Sequence, residues 1–118
     1  MSRLSEELRT RCKGYASQTI RLYVALPKDR EEVRVVGKQL LRSGTSVAAH
    51  CREASRARSD DGFCSKLGGL LQEADESQLW LELLREDCGV TSAAIPLLHR
   101  ESDELIAIFT TMVAKLKR

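Results

Sequence analysis

The segment from Val33 to Ala54 most constrains the fold of this chain. Its apolar and small residues recur at alternating three- and four-residue steps without a break: Val33, Val36, Leu40, Gly44, Val47, Cys51 and Ala54. This spacing is a heptad pattern, which places all of these positions along one side of a helix. The pattern continues through Ser43-Gly44-Thr45-Ser46, a cluster that alone is typical of a turn. We therefore predict one long helix, although an interior glycine costs about 1 kcal/mol relative to alanine.

Three further segments place apolar residues on one helical side, over residues 3–26, 59–89 and 91–116. Pro27 ends the first segment, because the residue before a proline is displaced from the helical region. Gly89 is suited to end the third segment. The candidate helix-start residues are Ser5, Asp29, Ser59 and either Thr91 or Ser92. Four amphipathic helices joined by short links predict an all-α fold, an antiparallel up-down-up-down four-helix bundle.

The composition predicts a single domain over residues 1–118 with a core of aliphatic side chains. Hydrophobic residues make up 42% of the 118-residue chain, but aromatic residues make up only 4%. The β-branched residues are few and scattered, which argues against a sheet. Some apolar residues lie outside the four seams, and a small bundle often buries such surface in an oligomer. They are Leu41, Leu71, Leu81, Leu83, Ile106 and Ile108.

The chain shows no sequence feature of a membrane or secreted protein. Its first residues are charged, and it has no run of about 18 apolar residues that could span a bilayer. The four cysteines, Cys12, Cys51, Cys64 and Cys88, are far apart and form no zinc-binding pattern. Of these, Cys12, Cys51 and Cys88 fall on the apolar seams, so we expect them in the core. We therefore expect a cytoplasmic protein with reduced thiols and no membrane partner.

Charge is distributed unevenly along the chain, although the net charge is only +2. Residues 1–66 contain 14 Lys or Arg and 8 Asp or Glu, whereas residues 67–118 contain 5 and 9. A basic half favours an acidic partner such as RNA or DNA. The basic half could equally meet the acidic half of a neighbouring subunit.

Basic residues of the second helix form a candidate nucleic-acid-binding surface, which we call the basic face. It comprises Arg34, Lys38, Arg42, Arg52, Arg56 and Arg58. At 100° per residue, all of these except Arg58 fall within about 80° of one another, so they could follow a phosphate backbone. No aromatic residue is interleaved with them to stack on bases. The alternative is a solvated face, or pairing with carboxylates of the third helix or of a neighbouring subunit: Glu73, Asp75, Glu76 and Glu82.

Small residues lie near the middle of the second helix. Ser43, Gly44 and Ser46 are candidates for a close helix crossing that permits oligomer assembly. The alternative is packing within the chain, with local hydrogen bonds from side chains to the backbone. We expect Trp80 to lie in the core or at an interface rather than to stack on a base.

No group of residues has the pattern of a catalytic or metal site. A di-metal site in a helical bundle requires Glu-x-x-His on two helices. Here His50-Cys-Arg-Glu53 has the reverse order, and His99 lacks the glutamate three residues before it. Cys51 adjoins His50, but adjacent residues point about 100° apart on a helix. No phosphate loop or serine elbow is present. We therefore expect no enzymatic activity, no metal and no cofactor.

The sequence resembles a bacterial family of four-helix-bundle proteins. The residues that carry the resemblance are those of 37–47, Gly-Lys-Gln-Leu-Leu-Arg-Ser-Gly-Thr-Ser-Val, and of 52–59, Arg-Glu-Ala-Ser-Arg-Ala-Arg-Ser. Residues 63–68, 73–84 and 101–109 are similar to the later helices of the family. This family includes proteins encoded in intervening sequences of 23S rRNA genes, and the accessory protein of diversity-generating retroelements is related to it. The chain departs from the family pattern at His50 and Cys51, where Asn and an aromatic residue are more usual.

The resemblance implies a four-helix bundle that assembles into a ring-like homopentamer with a non-enzymatic role. In the retroelement branch it also implies binding of nucleic acid and of a reverse transcriptase. Our hypothesis is an oligomeric scaffold or accessory protein that associates with RNA or DNA through the basic face. The alternative is a protein-interaction module that docks a larger enzyme, such as a reverse transcriptase, without binding nucleic acid itself.

Overall fold

Four helices account for nearly all of the residues that the computed structural model describes, which are residues 2–117. They are α1 (Glu6–Ala25), α2 (Glu31–Ser55), α3 (Asp60–Glu86) and α4 (Ala94–Leu116). Residues 2–117 contain no β-strand. The all-helical prediction is therefore confirmed.

The α2 helix runs for 25 residues without interruption through Ser43-Gly44-Thr45-Ser46, as the heptad pattern predicts. The polar side chains of this cluster are satisfied inside the helix, where each hydroxyl donates to a carbonyl three or four residues earlier. Thr45 Oγ1 donates to the Leu41 carbonyl at 2.7 Å, and Ser46 Oγ donates to the Arg42 carbonyl at 2.8 Å. Because these bonds leave the helical backbone ladder intact, the cluster does not form a turn.

A close contact between α1 and α2 explains the glycine in the middle of α2. A Cβ atom added at Gly44 would lie 2.7 Å from both Cγ2 and Oγ1 of Thr19, which is closer than such atoms can approach. Thr19 is fully buried, and its hydroxyl donates to the Tyr15 carbonyl at 2.8 Å. The missing side chain at residue 44 therefore lets α1 pack directly against the backbone of α2.

One hydrophobic core includes buried side chains from all four helices, such as Leu22, Leu40, Leu70 and Phe109. Along α2 every predicted seam position is buried except Val36, which is half-buried. Gly37, Ser43 and Ser55 are buried as well, outside the heptad seam. The buried stripe is wider than a heptad because α2 contacts α1 on one side and α3 on the other.

Polar contacts join helices within and beside this core. The Ser43 and Ser77 hydroxyls share a 2.8 Å hydrogen bond between α2 and α3, and the Tyr15 and Ser102 hydroxyls share one of 2.6 Å between α1 and α4. Burial raises the pKa of the Tyr15 hydroxyl, so the group stays neutral. Each of these buried hydroxyls has a partner, which avoids the free-energy cost of an unsatisfied polar group.

The helix ends agree only partly with the sequence prediction. Ser5 and Ser59 accept hydrogen bonds from the N–H groups of Leu8 and Gly62, at 3.2 and 3.0 Å, so both predicted caps are confirmed. The predicted Asp29 cap is wrong, because α2 begins after Arg30 with no side-chain cap. The Arg30 guanidinium instead donates to the Cys88 carbonyl at 2.7 Å. This long-range contact holds the link before α2 against the end of α3.

Local sequence also indicates where α3 ends and where α4 begins. Gly89 has φ +67°, a left-handed conformation that favours glycine after a helix, as predicted. Ala93 precedes the first residue of α4, one position after Ser92 and two positions after Thr91, the two predicted caps. The Ser92 hydroxyl nevertheless accepts a hydrogen bond from the Ala94 N–H at 3.2 Å, so it satisfies a free donor at the helix start.

We expect Gly44→Ala to lower the free energy of unfolding by about 1–3 kcal/mol, the usual cost of overpacking a core. The added methyl group would meet Thr19 at 2.7 Å, and this clash outweighs the better helix propensity of alanine. Urea unfolding followed by circular dichroism would measure the change.

Gly68→Ala is the matched control, because a Cβ at residue 68 of α3 meets no atom within 4 Å. This substitution should raise the free energy of unfolding by about 0.5–1 kcal/mol through helix propensity alone. Equal stabilisation by both substitutions would contradict the assigned contact at Gly44.

Candidate nucleic-acid interface

The structure divides the predicted basic face into paired and unpaired cations. Arg42 forms ion pairs with Glu76 and Glu73 of α3, at 3.1 and 3.5 Å. Arg34 pairs with Glu31 and donates to the Lys28 carbonyl at 2.8 Å. The remaining members of the face are exposed and form no ion pair with another residue of 2–117: Lys38, Arg52, Arg56 and Arg58.

The α1 helix adds two further cations, Arg9 and Lys13, to this surface. Both are exposed, and neither forms an ion pair within the described part of the chain. Together with Arg52 and Arg56 they line a groove of about 750 Å³ between the first half of α1 and the last part of α2. We call this feature the α1–α2 groove.

Small side chains create the groove. Thr10, Ala48, Ala49 and Ser55 leave space between the two helices, and the longer side chains stand beside them. Because arginine and lysine carry their charge at the end of a flexible stem, their charged groups reach the rim while the stems cover the walls. The result is a shallow channel with small residues in its floor and cations along its edges.

Two carboxylates also line the groove, Glu6 and Glu53. Glu53 lies 2.9 Å from the His50 ring, and the Lys66 ammonium group of α3, 3.6 Å away, compensates part of its charge. Glu6 lies in the first turn of α1, where the helix dipole favours a negative side chain. The four cations therefore outnumber the two carboxylates.

Two thiols, Cys12 and Cys51, lie at the wall of the groove and influence each other. Cys51 lines the groove, and Cys12 of α1 is fully buried beside it. The Cys12 thiol donates a hydrogen bond to Cys51, and this bond lowers the pKa of the Cys51 thiol. Burial raises that pKa, whereas the guanidinium groups of Arg9 and Arg52 lower it further. The same hydrogen bond and burial raise the pKa of Cys12, which keeps its proton. Both cysteines are free thiols.

The candidate packing residues occupy different environments. Ser43 and Gly44 are buried within the chain, against α3 and α1 respectively, and Ser46 is half-buried on α2. Trp80 is half-buried against the core, and its indole Nε1 is buried with no acceptor among the described residues. Leu81 rather than Trp80 occupies the fully buried seam position of α3.

The histidines contact carboxylates rather than each other. His50 lies 2.9 Å from Glu53 on α2, and His99 of α4 lies 2.8 Å from Glu82 of α3. Within residues 2–117, no three His, Cys, Asp or Glu side chains come together in an arrangement that could hold a metal ion.

Arg9 and Lys13 were not among the residues selected from the sequence. They are four residues apart on the polar side of α1, and this spacing was the one sequence signal that they share a face. Only the packing of α1 on α2 brings them beside Arg52 and Arg56, which follow more than 35 residues later in the chain.

Comparison with known proteins places the chain in a family. The profile of the 23S rRNA-intervening sequence protein family matches residues 7–111. The chain belongs to this family. The matched segment includes every lining residue of the groove except Glu6.

A solved structure supports this assignment. The crystal structure of a protein of unknown function from the S23 ribosomal protein family of Bacteroides thetaiotaomicron is similar to this chain, with a TM-score of 0.81 and 32% identity. The similarity covers 90% of this chain and 97% of that protein. No curated protein sequence matches the chain. No helix within residues 2–117 is both long enough and apolar enough to cross a membrane.

The double substitution Arg9→Gln/Arg52→Gln is expected to raise the pKa of the Cys51 thiol. Removal of the two guanidinium groups takes away positive charge that stabilises the thiolate, so the thiol would lose its proton at higher pH. The ¹³Cβ chemical shift of Cys51, followed by NMR across a pH titration, would report the midpoint.

Arg85→Gln/Arg100→Gln is the matched control, since it removes two exposed cations of α3 and α4 that do not line the groove. It should leave the Cys51 midpoint unchanged. If the groove variant also left the midpoint unchanged, the two arginines would not create a positive potential at the groove wall.

Proposed function

We propose that this protein is a non-enzymatic, cytoplasmic scaffold or accessory protein that associates with RNA or DNA. The contact surface would combine the α1–α2 groove with the unpaired part of the basic face. The observation that carries the proposal is that a set of exposed cations, four of which line the α1–α2 groove, has no carboxylate partner within residues 2–117. These cations are Arg9, Lys13, Lys38, Arg52, Arg56 and Arg58.

Unpaired cations support this proposal because of the way that nucleic acids bind proteins. A phosphate backbone carries condensed counterions, and lysine or arginine side chains release them on binding. A cation that is already paired with a carboxylate, such as Arg42 with Glu73 and Glu76, attracts a phosphate group less strongly. The name of the family also refers to intervening sequences of 23S rRNA, which is consistent with an RNA-related role.

An oligomer is part of the same proposal. We propose an antiparallel up-down-up-down bundle that assembles as a homopentameric ring, as the family resemblance implies. Exposed apolar side chains support assembly, since Val24 is 73% exposed and Leu97 is 61% exposed in the single chain. Native mass spectrometry would give the number of subunits directly, and a monomer at micromolar concentration would contradict this part of the proposal.

The same apolar residues favour a second candidate function, in which the protein docks a larger enzyme such as a reverse transcriptase. Leu97 lies on α4, where α3 and α4 carry most of the acidic residues. A co-purification experiment with and without nuclease separates the two functions. Partners that remain after nuclease treatment would support docking, whereas partners released by nuclease would support association through nucleic acid.

We expect Arg52→Gln/Arg56→Gln to weaken binding to RNA or DNA and to reduce its salt dependence. Each lost phosphate contact should lower the slope of log K against log salt by about 1. Fluorescence anisotropy of a labelled oligonucleotide at several salt concentrations would give both the affinity and the slope.

Two controls make this experiment specific. Arg42→Gln removes a cation of the same helix that is already paired with α3, so its effect should be the smaller one. Arg85→Gln/Arg100→Gln changes the net charge equally but lies on α3 and α4. An equal loss of affinity in all of the variants would indicate a response to net charge alone, and no binding by the unmodified protein at low salt would overturn the proposed function.

A further inference from the structure

We propose that the α1–α2 groove binds the sugar–phosphate backbone of a single-stranded nucleic acid. This inference rests on the proposed function and goes further, because it names the site within the surface and the form of the ligand. It depends on the order of the cations along the groove, on the small residues of its floor, and on the chemistry of the residues that line it.

The contacts between α1 and α2 determine the order of the cations. Thr19 lies against Gly44, and Cys12 contacts Cys51, so residue numbers rise along α1 as they fall along α2. From the first contact to the second, the residue number falls by seven on α1 and rises by seven on α2. In this register Arg9 is level with residue 54, and Lys13 is level with residue 50. Along the bundle axis the cations therefore follow the order Arg56, Arg9, Arg52, Lys13.

This order alternates between the two sides of the groove. Successive cations are two residues apart, which is about 3 Å at the helical rise of 1.5 Å per residue. The four charges thus extend over about 9 Å along the groove, measured as axial rise. In a duplex each strand carries one negative charge per about 3.4 Å of axial rise. A single strand that is not wound into a helix spaces its phosphates further apart than this. A row of four cations over this length therefore suits about two consecutive phosphates of a single strand better than one small anion.

The small size of the groove, which lies between only two adjacent helices, favours a single strand over a duplex. The floor consists of small side chains, including Thr10, Ala48 and Ala49, below the longer side chains of the rim. A flexible single strand is narrow enough to enter a channel between two adjacent helices, whereas the rigid cylinder of a duplex is wider than a helix pair can enclose. A duplex would contact only the exposed ends of cations such as Lys38 and Arg56 on α2.

The residues of the groove favour the backbone over the bases. No aromatic residue lines it, so it offers no platform on which a base could stack. The exposed Thr10 hydroxyl makes no hydrogen bond within residues 2–117, which leaves it able to donate to a phosphate oxygen. The Glu6 carboxylate near the start of α1 would repel phosphates, which limits the bound segment at that end. Binding of this kind is independent of base sequence.

Filling the groove without changing its charge tests the inference. Thr10→Leu/Ala48→Leu replaces two lining residues by larger ones, and Thr110→Leu/Ala107→Leu makes the same changes at exposed positions of α4. Anisotropy would compare a single-stranded oligonucleotide with a duplex of the same length. We expect the filled groove to weaken single-strand binding by about tenfold, equivalent to 1.4 kcal/mol. Duplex binding should change by less than about twofold, and the α4 control should leave both affinities unchanged.

A second variant keeps the inference testable if Thr10→Leu/Ala48→Leu does not fold. Arg9→Gln/Lys13→Gln removes only the α1 side of the cation row and should also weaken single-strand binding more than duplex binding. The salt slope for the single strand should fall by roughly 0.7 for each phosphate that is no longer neutralised. Circular dichroism spectra and melting curves of every variant would confirm that the helices are intact.

The outcomes separate this inference from the proposed function. If the unmodified protein binds both ligands but neither groove variant weakens single-strand binding, the groove is not the site, and the broader function stands. If both groove variants weaken single-strand and duplex binding equally, the groove does not select a single strand, which also overturns the inference. If the unmodified protein binds no nucleic acid at low salt, the proposed function fails and this inference fails with it.

Discussion

The close packing of α1 on α2 at Gly44 is the contact on which the arrangement of the candidate interface depends. Because residue 44 has no side chain, buried Thr19 rests against the backbone of α2. A rigid helix transmits this position along its length, so the same register brings Cys12 beside Cys51. One turn further, it places Arg9 across the groove, at a level between Arg52 and Arg56. A shift of α1 by one turn would move these charges past one another, although no residue of the groove would have changed.

Ion pairs decide which of the many cations remain available. Arg42 is held by Glu73 and Glu76, and Arg11 binds Glu101 at 2.6 Å, an interaction that raises the pKa of Arg11 further. These pairs link α2 to α3 and α1 to α4. They stabilise the fold, but the paired arginines are then less available to bind an anionic ligand. Exposed ion pairs contribute only about 0–1 kcal/mol each. Their larger consequence is that Arg11 and Arg42 are occupied, whereas the four cations that line the α1–α2 groove remain without an ion pair among residues 2–117.

Local sequence patterns predicted the helices well, because apolar spacing and chain-breaking residues act over a few positions. The heptad register correctly carried α2 through Ser43-Gly44-Thr45-Ser46, and Ser5, Ser59 and Gly89 marked helix ends as expected. The prediction for Asp29 was wrong, because α2 begins after Arg30 with no side-chain cap. The Arg30 guanidinium contacts the distant Cys88 carbonyl, which no local pattern could indicate. Only the packed core shows that Leu81, and not the adjacent Trp80, occupies the fully buried position of α3.

The sequence by itself determined the helical class, the length of α2, the family resemblance and the excess of positive charge in the first half of the chain. These properties depend on residues that are close in sequence or on composition, so they can be predicted without knowing which residues are in contact in the folded protein. Tertiary structure alone decided that Arg42 is neutralised by α3 while Arg52 is not, and that Arg9 and Lys13 join Arg52 and Arg56 around one groove. Charges on different helices interact only at short range through space, and that distance is set by helix packing rather than by separation along the chain.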